Sequence, residues 1–386
     1  MAAGADSPTV PESAECASPE FAAMLAEVAR RSAEFTEKRH VPKDMVAEFK
    51  KAGIYRASTP RRFGGDALPP ARFLAMIERI SAVDGSAGWV ASFGFSGVYL
   101  AALPLDTLAG LYADGPDLAF AGGLFPVQPA GRVPGGFEVS GRWRFASGCL
   151  GADLIGVGIG TGEPGAGRPR TAVLDPGQVR VVENWDAVGM EGTGSHDLAV
   201  DGVVVPEERT FVRGGAPSVD EPLYRYPTLA YAAQVLAVVN LGVARAALDQ
   251  VIREGGGTGV TGAPRLAGRA YYRMGVAKAE ARLRAARAFF YEITEEVYDA
   301  VARGEEAGRE RTSLLRLAAT HAARTGFDVV RTAYQLAGTG AAASDHALQR
   351  RLRDASVVPL HAFLGEGIYD GAGAVLLGTD PFPGYP

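Results

Sequence analysis

Polar and apolar positions along this chain change rhythm twice. From Ser18 to about residue 113, apolar residues recur at helical spacing in "FAAMLAEVARRSAEF", "PKDMVAEFKKAGI" and "PARFLAMIERISAVDGSAGWVASF", and "RRFGGDALPP" supplies a turn between pieces. This period predicts amphipathic helices, with Ser18 as N-cap and Pro19 in the first helical position. Near residue 116 the period falls to two. "LAFAGG", "GFEVSGRWRFAS", "LIGVGIG", "RTAVLD", "VRVVENW" and "HDLAVDGVVVP" follow one another with Gly, Pro and Asp between them, and this predicts a compact antiparallel β module. Beyond "EPLYRYP" helical spacing returns over 228–253, 265–302, 311–337 and 345–377, long segments with short links that suit an up-down four-helix bundle.

The expected organisation is therefore α+β. A disordered tail over 1–18 precedes an N-terminal helical domain over 19–115, a central antiparallel, barrel-like β domain over 116–221 and a C-terminal four-helix bundle over 222–386. No period of 20–50 residues recurs, which excludes a repeat architecture. The window "TLAYAAQVLAVVNLGVARAAL" (228–248) is long enough to cross a membrane, but it holds Gln234, Asn240 and Arg245. It reads as a buried helix.

Charge changes the picture by exclusion. Lys plus Arg number 39 against 44 Asp plus Glu, a net charge of −5, so neither a nucleic-acid partner nor a membrane surface is expected. Cys16 and Cys149 form no CxxC, and the N-terminus lacks a basic and an apolar signal region. A cytoplasmic location is expected. The five histidines, at 40, 196, 321, 346 and 361, show no HxxxH spacing, so no metal site is expected.

"GTGVTG" (257–262) and "GTGAAA" (338–343) match dinucleotide fingerprints in letters only. Such a fingerprint must follow a strand and open a helix, and both of these follow helices. The chain thus carries no recognisable nicotinamide site of its own.

The candidate chemistry lies in three segments, "VSGRWRFASG" (139–148), "VGMEGTGSHDLAVDGVVVPEE" (188–208) and "AYQLAGTGAAASDHALQRRLRDASVVPLH" (333–361). An aromatic strand ending in Ser147-Gly148 can face a flat tricycle, with a glycine that lets backbone approach closely and a hydroxyl at the ring edge. Thr193 and Ser195 add hydroxyls in a glycine-rich turn. His361 carries an imidazole able to take a proton from, or hydrogen-bond, a phenol or an indole N–H.

Together these segments resemble the acyl-CoA dehydrogenase-like fold. Within it they are most similar to the oxygenase components of group D two-component flavin-dependent monooxygenases, of the p-hydroxyphenylacetate hydroxylase type. The resemblance implies hydroxylation of an electron-rich aromatic (phenol, indole or polyketide-type) through a flavin C4a-hydroperoxide. Reduced FMN or FAD would come from a separate NAD(P)H-dependent flavin reductase, with dioxygen as co-substrate. It implies Ser147 and His361 as catalytic residues and Trp143, Phe145, Ser147, Gly148, Thr193 and Ser195 around the flavin. Gln335, Gly338 and Gly340 would meet flavin phosphates of a neighbouring subunit in a homotetramer. Phe93, Ser96, Tyr99 and His361 would wall the substrate, and Arg353 and Asp354 would hold an ion pair or structural hydrogen bonds.

A dehydrogenase alternative needs a carboxylate base. The family position for it falls on Ala362, so only Glu366, one turn further, could be a shifted base. The acidic flavin-strand motif is also missing from "FAGGLFPVQPAG". N-oxygenation of an amino sugar and a flavin-free binding role remain further alternatives on the same fold.

Overall fold

The computed structural model describes residues 14–162, 169–255 and 265–386. The "GTGVTG" stretch, and most of the tail expected over 1–18, lie outside the described residues.

The first helix, α1 (Pro19–Lys38), starts as its sequence dictates: Phe21 N–H donates to Ser18 Oγ at 3.1 Å, and Pro19 occupies the first turn, where its missing N–H costs nothing. Five further helices, α2 (Lys43–Lys51), α3 (Pro70–Val83), α4 (Gly85–Ser92), α5 (Gly97–Leu100) and α6 (Leu105–Leu111), complete the N-terminal part. A 3₁₀ turn, Phe93–Ser96, separates α4 from α5.

Among the described residues seven strands follow: β1 (Phe120–Val133), β2 (Gly136–Ala146), β3 (Leu154–Gly160), β4 (Arg170–Leu174), β5 (Arg180–Val182), β6 (His196–Val205) and β7 (Thr210–Val212). Their order is β5-β6-β2-β1-β3-β4-β7. The expected antiparallel barrel needs correcting on two points: β1 and β3 pair in parallel, and the sheet stays open between its edge strands β5 and β7. The chain reverses once between β1 and β2 and again between β2 and β3, so β3 runs alongside β1 in the same sense. Local alternation predicts a strand but not its partner. β1 serves both halves, pairing with β3 through Phe120–Gly123 and with β2 through Ala130–Val133. The halves fold over a core of Phe137, Val139, Trp143, Ile155, Val157 and Leu198.

After α7 (Pro222–Arg225), the C-terminal part holds α8 (Thr228–Gly255), α9 (Ala270–Ala302) and α10 (Gly308–Ala337). α8 is apolar and long enough to span a membrane, yet most of its apolar window is buried in the protein. Gln234, Asn240 and Arg245 each find a partner on a neighbouring helix. Gln234 donates to Thr294 Oγ1 at 2.6 Å, Asn240 donates to the Ala323 and Ala355 carbonyls at 2.7 and 3.0 Å, and Arg245 pairs with Glu280 at 2.6 Å. Buried polar groups are tolerated when satisfied in this way.

The segment expected as one last helix is instead two, α11 (Ala347–Val357) and α12 (Gly367–Leu376). Pro359 cannot donate to the helical ladder, and Val358–Leu360 and Ala362–Leu364 tighten into 3₁₀ turns. That break aims His361 inward.

Candidate active site

The β module and the C-terminal helices enclose a cavity of about 570 Å³. Its walls come from distant parts of the chain: Trp89 of α4, Phe93, Phe95 and Tyr99 beyond it, Gly122–Phe125 of β1, Arg144, Phe145 and Ser147 of β2, and Trp185, Met190, Thr193 and Ser195 before β6. Arg213 beyond β7, Ala232 and Leu236 of α8, and Val357 with Leu360–Phe363 at the break close it. No Asp or Glu stands among these lining residues.

The strand end is shaped by a bulge. The β2–β6 register shifts between Trp143 and Ala146, so residues two apart no longer share a face. Trp143 is fully buried in the β core, where its indole N–H donates to Gly158 O at 2.7 Å. Trp143 therefore does not face the cavity, contrary to the expectation drawn from alternation. Phe145 is 59% exposed at the cavity mouth, in a left-handed conformation (φ 62°) that an aromatic residue adopts only at a cost of about 1–2 kcal/mol. Its ring meets Trp185 edge-on at 6.4 Å. Gly148, at φ 74°, donates its N–H to Thr193 O at 2.8 Å and locks the two turns together. It does not line the cavity; its freedom at positive φ is what the turn requires.

Four polar side chains then form a directed chain. Thr193 Oγ1 donates to Met190 O at 2.8 Å, which uses its only proton. Ser195 Oγ, 2.7 Å from Thr193 Oγ1, must donate to it, and Ser147 Oγ, 2.7 Å from Ser195 Oγ, must donate in turn. The Trp89 indole N–H donates to Ser147 Oγ at 3.1 Å. A hydroxyl oxygen has two lone pairs, so Ser147 keeps one acceptor position open on the cavity. Met190, the end of the chain, is itself held by Asp354, whose carboxylate accepts from the Met190 N–H at 2.6 Å. Burial, with the charge of Asp84 close by, lifts the Asp354 carboxyl to about 7. Asp354 is thus the structural hydrogen-bonding residue expected, and Arg353 lies 3.8 Å from Glu191.

His361 lies across the cavity, its ring 6.0 Å from Trp89 and 5.2 Å from Phe363. Its Nδ1 accepts the Phe363 N–H at 3.2 Å. Burial and the nearby Arg213 cation lower its pKa to about 4, so the ring is neutral and carries its proton on Nε2. This changes the expected role: the nitrogen left for a ligand donates a hydrogen bond and does not accept one.

Phe93 and Tyr99 line the cavity, but Ser96 does not; it is buried and donates to Phe93 O at 2.6 Å. Its short side chain turns back onto the preceding carbonyl and does not reach the cavity. Gln335, Gly338 and Gly340 are exposed at the end of α10, away from this cavity. Glu366 is also absent from the lining, while Ala362 is present. Sequence reasoning missed Trp89, Trp185, Arg213 and Phe363. Trp89 stood inside a quoted helix, and its one signal was a large indole following the small-residue run Gly85–Gly88.

Comparison with known proteins bears on what this cavity holds. Residues 20–103 match the model for the acyl-CoA dehydrogenase N-terminal domain, and residues 234–366 match that for the acyl-CoA dehydrogenase C-terminal domain. The chain is 52% identical to an indole-3-acetate monooxygenase of Pseudomonas putida over 97% of both chains. It is 32% identical to the oxygenase component of an FADH2-dependent resorcinol hydroxylase of a Rhizobium species, over 62% of each. Among solved structures it resembles XiaF of a Streptomyces species in complex with FADH2 and glycerol, at a TM-score of 0.88 and 22% identity, covering 95% of this chain and 98% of that one.

Proposed function

We propose a reaction for a chain that belongs to the acyl-CoA dehydrogenase-like family and, within it, to the flavin-dependent aromatic monooxygenases: hydroxylation of an electron-rich ring, of the indole or phenol type, in the cavity between Ser147 and His361. The relative that acts on indole-3-acetate makes that compound the first substrate to test. Relatives named as oxygenase components imply a separate flavin reductase.

The residues present suit a reduced flavin. Ser147 offers an unspent acceptor in a water-poor, aromatic-walled space, and Phe145, Trp185 and the bare backbone of Gly122 and Gly123 border it. When bound, reduced FMN or FAD supplies two electrons to dioxygen, one oxygen atom entering the substrate and the other leaving as water. The chain's own residues would do the rest. Ser147 would accept a hydrogen bond from flavin N5–H and so help hold that proton in place, because its own proton is committed to Ser195 and cannot compete. Thr193 and Ser195 keep that direction fixed without any reorganisation during turnover. His361 donates from Nε2 to an oxygen in the cavity, and Phe93, Phe95 and Tyr99 pack the aromatic substrate and exclude water.

The observation that carries this reading is the pairing of an open serine acceptor with a neutral histidine in one cavity without a carboxylate. Dehydrogenation of an acyl-CoA needs a carboxylate base at that place, and neither Ala362 nor Glu366 provides one. Gln335, Gly338 and Gly340 would belong to a neighbouring subunit's cofactor site in a homotetramer, and the enzyme would work in the cytoplasm beside its reductase. The test is turnover of indole-3-acetate with dioxygen and chemically reduced FMN or FAD. Consumption of the substrate with formation of a hydroxylated product supports the reading. Bleaching of bound oxidised flavin by an acyl-CoA, with no aromatic consumed, overturns it.

A further inference from the structure

Arg213 follows β7, and its guanidinium carbon lies 5.3 Å from the Tyr99 ring centroid and 5.4 Å from that of Phe363. These two aromatic contacts restrain the group but use none of its N–H donors. Among the described residues no carboxylate, hydroxyl or carbonyl accepts from it, although Arg31, Arg56, Arg142, Arg209 and Arg287 each have a carboxylate partner. Behind Phe363 lies a second cation. Arg316 is 6% exposed, sits 5.8 Å from the Phe363 centroid and leaves its Nε without a partner.

Among the described residues, neither Arg213 in the cavity lining nor Arg316 against the Phe363 ring thus has a counter-charge. A desolvated, unpaired charge is costly, and the imbalance is relieved if the ligand brings an anion. The position also fits. Phe363 touches both Arg213 and His361, and His361 touches Trp89, the donor to Ser147. An aromatic ring against His361 would put a short acidic side chain at Arg213, with its reacting face toward Ser147.

We propose that Arg213 anchors a carboxylate on the aromatic substrate, so that the pocket selects aryl acids over their uncharged analogues. This rests on the reading that the cavity takes an aromatic substrate. The planar guanidinium can grip a carboxylate through two parallel N–H···O bonds, and Arg316 adds field without needing to touch the ligand.

The experiment compares indole-3-acetate with indole-3-acetamide in the wild type, Arg213→Gln and Arg213→Lys. Two quantities are measured: kcat/KM with reduced flavin, and equilibrium binding by calorimetry without flavin. The wild type should favour the acid. The acid-to-amide ratio should fall on the order of 10- to 100-fold in Arg213→Gln, mainly through KM. Arg213→Lys should fall between, because it keeps the charge but loses the fork. An equal preference in the wild type, or an unchanged ratio in Arg213→Gln, overturns the proposal. So does loss of reduced-flavin affinity in Arg213→Gln with acid binding intact, which would assign the guanidinium to a flavin phosphate. If the wild type binds the acid through Arg213 but oxygenates neither compound, the anchor stands and the monooxygenase reading falls. If it oxygenates both without regard to charge, the reverse holds.

Discussion

The two walls of the cavity differ in how completely their polar groups are satisfied. Around Ser147, the groups Trp89, Ser147, Ser195, Thr193 and Met190 form one directed chain in which every hydroxyl proton is assigned, so that Ser147 has only an acceptor position left to offer. Around Phe363, the Nε2–H of His361 and the guanidinium of Arg213 have no acceptor among the described residues. On the proposed function, this difference would separate two tasks. A surface that meets the same cofactor edge in every cycle can be set in advance, whereas a surface that admits and releases substrate keeps its donors unspent.

The largest effect should come from the open side. His361→Ala is expected to lower kcat on the order of 100-fold, as losing one donor to developing charge does elsewhere. His361→Gln, which retains an N–H donor, should lose much less. Steady-state kinetics of the pair decide this, and equal losses would contradict the donor role. Next is a change to the support of the closed side. A Cβ on Gly189 would lie 2.2 Å from Arg353 O, so Gly189→Ala must push the turn bearing Met190 off α11. It should destabilise the fold by about 1–3 kcal/mol, seen as a lower urea midpoint; an unshifted midpoint would mean that the turn is seated loosely.

A smaller break tests the relay itself. Trp89→Phe removes the donor to Ser147 while preserving an aromatic ring, at a cost of about 1 kcal/mol, roughly a 5-fold fall in product formed per hydrogen peroxide released. No change would show that Ser147 does not need that donor to hold its direction. The smallest effect concerns pH. The His361 pKa is about 4 in the folded chain, below the ordinary 6.5, so the unfolded chain binds more protons between those values. This group's contribution to stability therefore falls as pH drops from 6.5 toward 4 and is flat above 6.5. The melting temperature of His361→Gln should lose that acid-side component, and kcat/KM should show no histidine limb near pH 6.5.

What the sequence made legible was local. Ser147-Gly148 and the 192–197 turn are short, their chemistry depends on residue type, and the structure brings Ser147, Thr193 and Ser195 into one cavity. The helix–strand–helix order was equally open to period counting. Errors arose where a neighbour in space decides the outcome. Trp143 and Phe145 share a face in an ideal strand, but the bulge at Arg144–Phe145 turns one into the core and the other outward. Ser96 follows Phe93 at helical spacing, yet its hydroxyl is spent on the Phe93 carbonyl and the short side chain does not reach the cavity. Trp89, Trp185, Arg213 and Phe363 come from four separate segments and meet only through tertiary packing, so no window along the chain could have joined them.

The open lone pair on Ser147 is the claim on which the account turns, and the partition of reducing equivalents tests it most directly. Wild type and Ser147→Ala would each be given the same reduced flavin, dioxygen and indole-3-acetate, and hydroxylated product and hydrogen peroxide counted in one experiment. The account expects the alanine variant to divert nearly all of its flavin to peroxide while still binding substrate. Unchanged coupling in that variant would contradict it.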